Sequence, residues 1–495
     1  MGHDGPQDAE AQSFFTLVTT YLGYAVLFFF GHVRDTFAKL TGVSRFRDEL
    51  FPPSSTEAPL LQAAGDAFYV RRLKHRINDC WDRPICSRPG AHIEVMDRKI
   101  DEKGLSLKIT NKTIPALNLG SYNYLGFADD WDNTCGTPVR EALAKWGVSC
   151  QSAQQDLGNM DIHDKLEKFV ARFVGKEDAI VYNMGFGTNS TSIPALMGAG
   201  SLIVSDALNH TSLVAGCRDA GSKAMTFKHN DPESLEKVLK EAIVTGQAPE
   251  GQPYKPWTKI LVMVEGIYSM EGEVCKLKEV VAVTKKYKSY LYVDEAHSIG
   301  ALGRTGRGVT EHCGVPASDV DILMGTFTKS FGGMGGYIAA DKNIVNRLRA
   351  LSAGALFGSN LSPTVSQQVL TSFEIISGED GTNIGQEKLE AIKSNANYFR
   401  EKLKLMGCSV LGDEDSPVIP MMLFNATKIP SFSRECLKRN LAVVVVGAPA
   451  VPIYGSRVRF CISAAHTKDD LREALKKIRE VCKILNLRYE RSIFG

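Results

Sequence analysis

Two short apolar runs, Tyr290 to Val293 and Ile322 to Met324, constrain this chain more than any other feature, because each one ends in polar chemistry. Apolar strands that do not alternate with polar residues are buried on both faces, and such strands belong to parallel sheets covered by helices on each side. The first run stops at Asp294, followed by Glu295, Ala296 and His297. The second is followed by Gly325 to Thr328 and then Lys329, just ahead of Gly332, Gly333, Gly335 and Gly336. The carboxyl edge of an open α/β sheet is where ligands bind. A carboxylate and a lysine carried to that edge suit pyridoxal phosphate: the amine forms a Schiff base with the aldehyde, and the acid keeps the pyridine nitrogen protonated. As an isolated pair they read equally as a buried capping Asp and a solvated loop Lys. A Walker-type phosphate loop does not compete, since the GxxxxGK[ST] spacing is absent.

The flanking chain repeats the same strand-then-helix rhythm. Ile162 to Val174 places Leu166, Phe169, Val170 and Phe173 on one helical face. The strand AIVYN (179 to 183) runs into MGFGTNS, a glycine turn and helix start whose free N–H groups suit a phosphate dianion. In SLIVSDALNHTSL, His210 follows Asp206 by four residues, beyond another buried strand. KILVMVEG (259 to 266) leads to Ser269 and Met270. Strands alternating with helices predict a mainly parallel sheet. After the GEDGTN turn (378 to 383), a long helix and short strands at SPVIPMML and AVVVV predict a smaller α+β domain. In RVRFCISAAHTKDDL, Arg457 and Arg459 share one face of a strand, near His466. The guanidinium fork is the natural clamp for a carboxylate; for Arg457 a surface salt bridge is the plain alternative.

The front of the chain differs. Ser13 to Gly31 is nineteen residues without a charge, long enough to cross a hydrocarbon layer of roughly 30 Å. A helix lying in the interface is the alternative. Asp4, Asp8 and Glu10 precede it, while Arg34, Lys39, Arg45 and Arg47 follow it, so the body that comes after is expected on the cytosolic side. FPPSSTEAP, within Phe51 to Ala63, reads as a linker, and residues 68 to 85 set Phe68, Leu73 and Ile77 among basic residues that suit equally a solvated helix face and contact with headgroups or a partner subunit. A net charge of +2 gives no sign of nucleic-acid binding. Eleven cysteines with no CxxC and no Cys/His cluster at ligand spacing predict reduced thiols and no structural zinc. At 495 residues the chain can hold two or three domains.

Longer wording makes the pattern specific. YVDEAHSIGALGRTGRG and GTFTKSFGGMGGYIAA resemble the α-oxoamine synthases, pyridoxal-phosphate enzymes that condense an amino acid with an acyl-CoA and release carbon dioxide. EGIYSMEGE (265 to 273), LNLGSYNYLGF (117 to 127) and DSPVIPMMLFN (415 to 425) are similar to the long-chain-base subunit 2 branch of the eukaryotic serine palmitoyltransferases within that family. The resemblance, from about residue 65 to about residue 490, implies a fold-type I transferase. Its expected divisions are a membrane segment (1–50), a linker region (51–115), a large cofactor domain (116–375) and a small C-terminal domain (376–495).

The same resemblance implies roles. Lys329 would hold the cofactor and act on the Cα proton, Asp294 would serve the ring nitrogen, His210 would lie flat on the ring, and His297 would reach the ring oxygen. Gly185, Phe186 and Thr328 would neighbour the phosphate, and Ser359 would touch the phosphate of a neighbouring subunit. Arg459 would take the carboxylate of serine, with Tyr122 and Asn123 at the mouth near a dimer interface. The implied reaction joins L-serine to palmitoyl-CoA, giving 3-ketosphinganine, CoA and carbon dioxide. The implied setting is the endoplasmic reticulum membrane, in a heterodimer with a related subunit lacking the lysine and with small membrane regulatory subunits. Two departures stand out: Gln154 where the family carries Arg, and Asn360 where Ser is common. A synthase using glycine or alanine, and a non-catalytic partner subunit, are the competing readings.

Overall fold

The computed structural model describes residues 14–41, 76–101, 106–247, 252–448 and 450–489. The linker expected at 51–63, the basic stretch from Phe68 to Leu73, Arg45, Arg47 and the acidic residues ahead of the apolar run lie outside them. At the centre stands a seven-stranded sheet built from β3 (Asp178–Tyr182), β4 (Leu202–Asp206), β5 (Lys223–Phe227), β6 (Ile260–Glu265), β7 (Tyr290–Asp294), β8 (Ile322–Thr326) and β9 (Gly336–Ala340), in the order β3-β9-β8-β7-β6-β4-β5. All neighbours pair in parallel except β9, which runs antiparallel to both β3 and β8.

The lack of alternation in these strands has a direct cause. Val262 and Val264 of β6 enter one apolar cluster while Leu261 and Met263 enter another, and in β7 Leu291 and Val293 part from Tyr292 in the same way. Both faces of the sheet are therefore covered, and each fully buried aliphatic side chain stabilises the fold by roughly 1.5–3 kcal/mol. The helix Asp161–Val174 lays Leu166, Phe169, Val170 and Phe173 into the first cluster, where Phe173 meets Phe373 edge-on at 5.0 Å between ring centres.

A second body forms around β10 (Val418–Phe424), β12 (Val444–Val446) and β13 (Ser456–Cys461), an antiparallel sheet of order β10-β13-β12. A third sheet pairs the hairpin of β1 (His92–Ile100) and β2 (Leu107–Asn118) with β11 (Leu441–Ala442). The hairpin upstream of the cofactor region thus joins the C-terminal part. The apolar N-terminal run forms one helix, Phe14–Thr41, longer than its uncharged stretch because it continues through Arg34 and Asp35. Its Phe14–Ala38 portion is long and apolar enough to cross a membrane. One narrow edge, including Thr20 and Tyr24, is buried, whereas Phe14, Leu22, Phe29, Phe30 and Phe37 stand exposed.

Candidate active site

The carboxyl ends of β4, β6, β7 and β8 converge, as an open parallel sheet requires. Asp294 closes β7 and is buried; its Oδ2 accepts from Asn189 Nδ2 at 2.8 Å and its Oδ1 from the Ala296 N–H at 2.9 Å. Lys329 lies three residues beyond β8, half-buried, with its Nζ 5.5 Å from the centre of the Tyr122 ring. Among the described residues no side chain accepts a hydrogen bond from that amine. Burial lowers its pKa to about 8, against the opposing pull of the Asp294 and Glu265 carboxyls. A lysine of this kind is poised to react as a neutral amine.

Two imidazoles flank this pair. His297 is buried, and its Nδ1 meets the Tyr124 hydroxyl at 2.7 Å. Tyr124 is itself fully buried with no other hydroxyl partner among the described residues, so its phenol donates and the His297 proton sits on Nε2. Burial, reinforced by the charges of Lys329 and Arg459, pushes the His297 pKa well below its usual value and keeps the ring neutral. His210 caps the helix Thr211–Asp219, its Nδ1 accepting from the Ser212 N–H, and its ring faces the cleft beside Phe186 at 6.3 Å. Partial burial lowers its pKa as well. The Glu265 carboxyl, fully enclosed next to Asp294, is pushed well above the usual range and accepts from the His210 N–H.

On the other side, Gly185 opens the helix Gly185–Leu196. A Cβ at Gly185 would lie 2.8 Å from Thr326 Oγ1, so only glycine lets the helix start come this close to β8. Thr326 Oγ1 meets Thr328 Oγ1 at 2.9 Å, which sets the exposed Thr328 beside the free N–H groups of that helix. Ser359 lies here too: its carbonyl accepts from Asn183 Nδ2 at 2.7 Å, and it bridges to Ala153.

Arg457 and Arg459 share a face of β13, yet their surroundings differ. Arg457, for which a surface salt bridge is the alternative, is instead buried: its Nη1 donates to the Met270 carbonyl at 2.8 Å and pairs with Glu271 Oε1 at 3.3 Å, while its Nε donates to the Gly455 carbonyl at 2.8 Å. Among the described residues Arg459 is buried without a carboxylate and its Nε has no partner; its Nη1 meets Met270 Sδ at 3.7 Å, and its guanidinium lies 4.7 Å from the centre of the Tyr122 ring. Tyr122 is therefore a neighbour of both Lys329 and Arg459. Asn123 is turned away into its own loop, donating to Asp129 Oδ2 at 2.8 Å. His466 is bound to Ser463 and to the Asn118 carbonyl. Gln154 is buried and donates to Glu167 Oε1 at 3.1 Å, while Arg349 holds Glu167 Oε2 at 2.7 Å. Asn360 binds the Gly158 carbonyl at 3.1 Å. Both departures thus lie where the segments around 154 and 360 are joined.

Residues 114–478 match the family model described as aminotransferase class I and II. The chain belongs to that family. Relatives of this class I and II aminotransferase member include long chain base biosynthesis protein 2b of Arabidopsis thaliana, 49% identical with 96% of this chain and 95% of the relative covered. Serine palmitoyltransferase 2 of Dictyostelium discoideum is 47% identical, covering 98% of this chain and 97% of that one. A high-resolution structure of SPT with a PLP internal aldimine superimposes with a TM-score of 0.72 at 28% identity, covering 84% of this chain and 95% of that one. The site of this aminotransferase-family chain fits pyridoxal phosphate on its own atoms: an unpartnered amine at Lys329, a helix start that only Gly185 allows beside Thr326, and an acceptor carboxylate at Asp294.

Proposed function

We propose that this chain is the catalytic subunit of a serine palmitoyltransferase, condensing L-serine with palmitoyl-CoA to give 3-ketosphinganine, CoA and carbon dioxide. The observation that carries this reading is the placement of the Lys329 amine and the Arg459 guanidinium, which has no carboxylate partner among the described residues, at one tyrosine ring, 5.5 and 4.7 Å from its centre. A small amino acid presents an amino group and a carboxylate at just such close quarters. Pyridoxal phosphate, held through Lys329, supplies the electron sink that makes loss of a Cα proton accessible.

Each residue has a task in this scheme. Asp294 offers its remaining lone pairs to the proton on the ring nitrogen. His297 would donate from Nε2 to the cofactor's ring oxygen, and His210 would stack on the ring. Gly185, Phe186 and Thr328 would surround the phosphate at the helix start, and Ser359 would reach the phosphate site of the adjoining subunit. Arg459 clamps the serine carboxylate through both oxygens. Lys329, once the substrate amine has released it from the cofactor, would take a proton from Cα and return one, burial having lowered its pKa to about 8.

The chain works in a heterodimer with a related subunit lacking the lysine, at the endoplasmic reticulum membrane, with its body on the cytosolic side and small regulatory subunits alongside. Support comes from an apolar patch at the mouth, where Val148, Leu157, Met184, Phe186 and Phe357 are exposed on segments tied by the Ala153–Ser359 bridge and the Asn183 contact. Exposed apolar clusters of this kind mark interfaces. The test is coexpression with such a partner, supply of serine, glycine or alanine with palmitoyl-CoA, and analysis of products. Serine-dependent 3-ketosphinganine that vanishes in Lys329→Ala supports the reading; equal or better use of glycine or alanine overturns it.

A further inference from the structure

We infer that Asn189 is a positioning residue that couples the two groups flanking the cofactor ring, the Asp294 carboxylate and the His210 imidazole, through a buried relay from Tyr292 by way of Ser212. The inference rests on the roles proposed above for those two groups. Tyr292 and Asp294, two residues apart on β7, point to the same face of the sheet. The helix Gly185–Leu196 covers that face, packing Ile193 and Leu196 into the cluster that holds Tyr292. Asn189, near the start of this helix, reaches all the members at once. Its Nδ2 donates to Asp294 Oδ2 at 2.8 Å and to Ser212 Oγ at 2.9 Å, and its Oδ1 accepts from the Tyr292 hydroxyl at 2.6 Å.

The donor directions follow from this arrangement. The reversed amide would set Oδ1 against the Asp294 carboxylate, which only accepts, so the Tyr292 bond and the Asp294 bond fix one orientation. Ser212 Oγ, already accepting from Asn189, turns its O–H onto His210 Nδ1 at 2.8 Å. The Ser212 N–H donates to the same nitrogen at 3.2 Å. His210 Nδ1 is thereby saturated with donors, and its proton resides on Nε2, facing the cleft. Asn189, Ser212, Tyr292 and Asp294 are all buried, so water does not replace a lost member.

Two variants of the full-length chain test this, read on the apoprotein. The charged or titratable groups facing His210 are Asp294, Lys329 and Glu265. Ser212→Ala removes one donor to Nδ1, so the His210 titration, followed by NMR of histidine-labelled protein and identified by its loss in His210→Gln, moves up by about half a pH unit or more. Asn189→Asp sets a second carboxylate against Asp294 and weakens binding of free pyridoxal phosphate by about tenfold or more. An unchanged His210 titration in Ser212→Ala overturns the relay even where Asn189→Asp fails to fold, and unchanged cofactor affinity in a folded Asn189→Asp overturns the coupling to Asp294. Turnover that survives Lys329→Ala would instead overturn the proposed function and leave the His210 result standing.

Discussion

Replacing Arg457 and Arg459 in turn by Met separates a residue that holds the fold from one held in reserve for substrate. Arg457 donates to two carbonyls and pairs with Glu271, both side chains being buried. Its loss removes the guanidinium from the buried Glu271 carboxylate, and breaking a buried pair in this way costs about 3–5 kcal/mol. Among the described residues Arg459 has no carboxylate partner and an unpartnered Nε, so its replacement removes a desolvated charge and strands no carboxylate, its Nη1 meeting a thioether, Met270 Sδ, at 3.7 Å. Arg459→Met should therefore keep or raise the melting temperature. It should lose charge-assisted bonds to the serine carboxylate worth about 1.5–3 kcal/mol, a fall of about ten- to 150-fold in kcat/KM for serine. Chemical denaturation and serine titration of product formation read the two effects separately. The reasoning is refuted if Arg459→Met is the less stable variant, or if Arg457→Met retains full stability.

Three further outcomes follow from the same geometry. Recapture of pyridoxal phosphate by the apoprotein needs the neutral Lys329 amine, so its rate should climb with pH through about 8 and then level off, as stopped-flow absorbance would record. His229 lies between Asp206 and Glu273, at 2.9 and 3.4 Å, and its pKa is raised to about 10 despite burial. A raised histidine stabilises the fold fully below its usual value near 6.5 and loses that contribution as pH rises toward about 10. The decline across that window in urea unfolding should accordingly flatten in His229→Phe. Arg349→Met, which leaves buried Glu167 without a cation, should cost about 3–5 kcal/mol, against about 1 kcal/mol for Gln154→Leu, both read by denaturation.

The central sheet was legible in the chain because covering both faces writes itself as unbroken apolar runs, and β7 and β8 lie where Tyr290 to Val293 and Ile322 to Met324 placed them. The shared face of Arg457 and Arg459 followed from the two-residue period of a strand. What separates the two arginines did not, since the carboxylate that occupies Arg457 stands 186 residues earlier in the chain. Tyr124, Asn189 and Ser212 escaped for the same reason: a tyrosine in an aromatic turn, an asparagine in a helix and a serine after a histidine carry no pattern until folding brings them together. The Asn118, Ser463 and Asp129 contacts that engage His466 and Asn123 were equally invisible. The hairpin of β1 and β2 was obscured by its charged outer face, and its third neighbour arrives only at Leu441.

Antiparallel β13 slides against β10 in steps, and a displacement by two residues leaves every side chain on its original face. Such an error would carry Arg457 into the position of Arg459, so the misaligned strand would still present a guanidinium to the cleft and still look correctly built. The pair with the Glu271 carboxylate, 3.3 Å from Arg457 Nη1, forms in only one of these alignments. It acts as an indexing pin, and the fidelity with which this chain places its arginine is set by a residue that never needs to meet the amino acid.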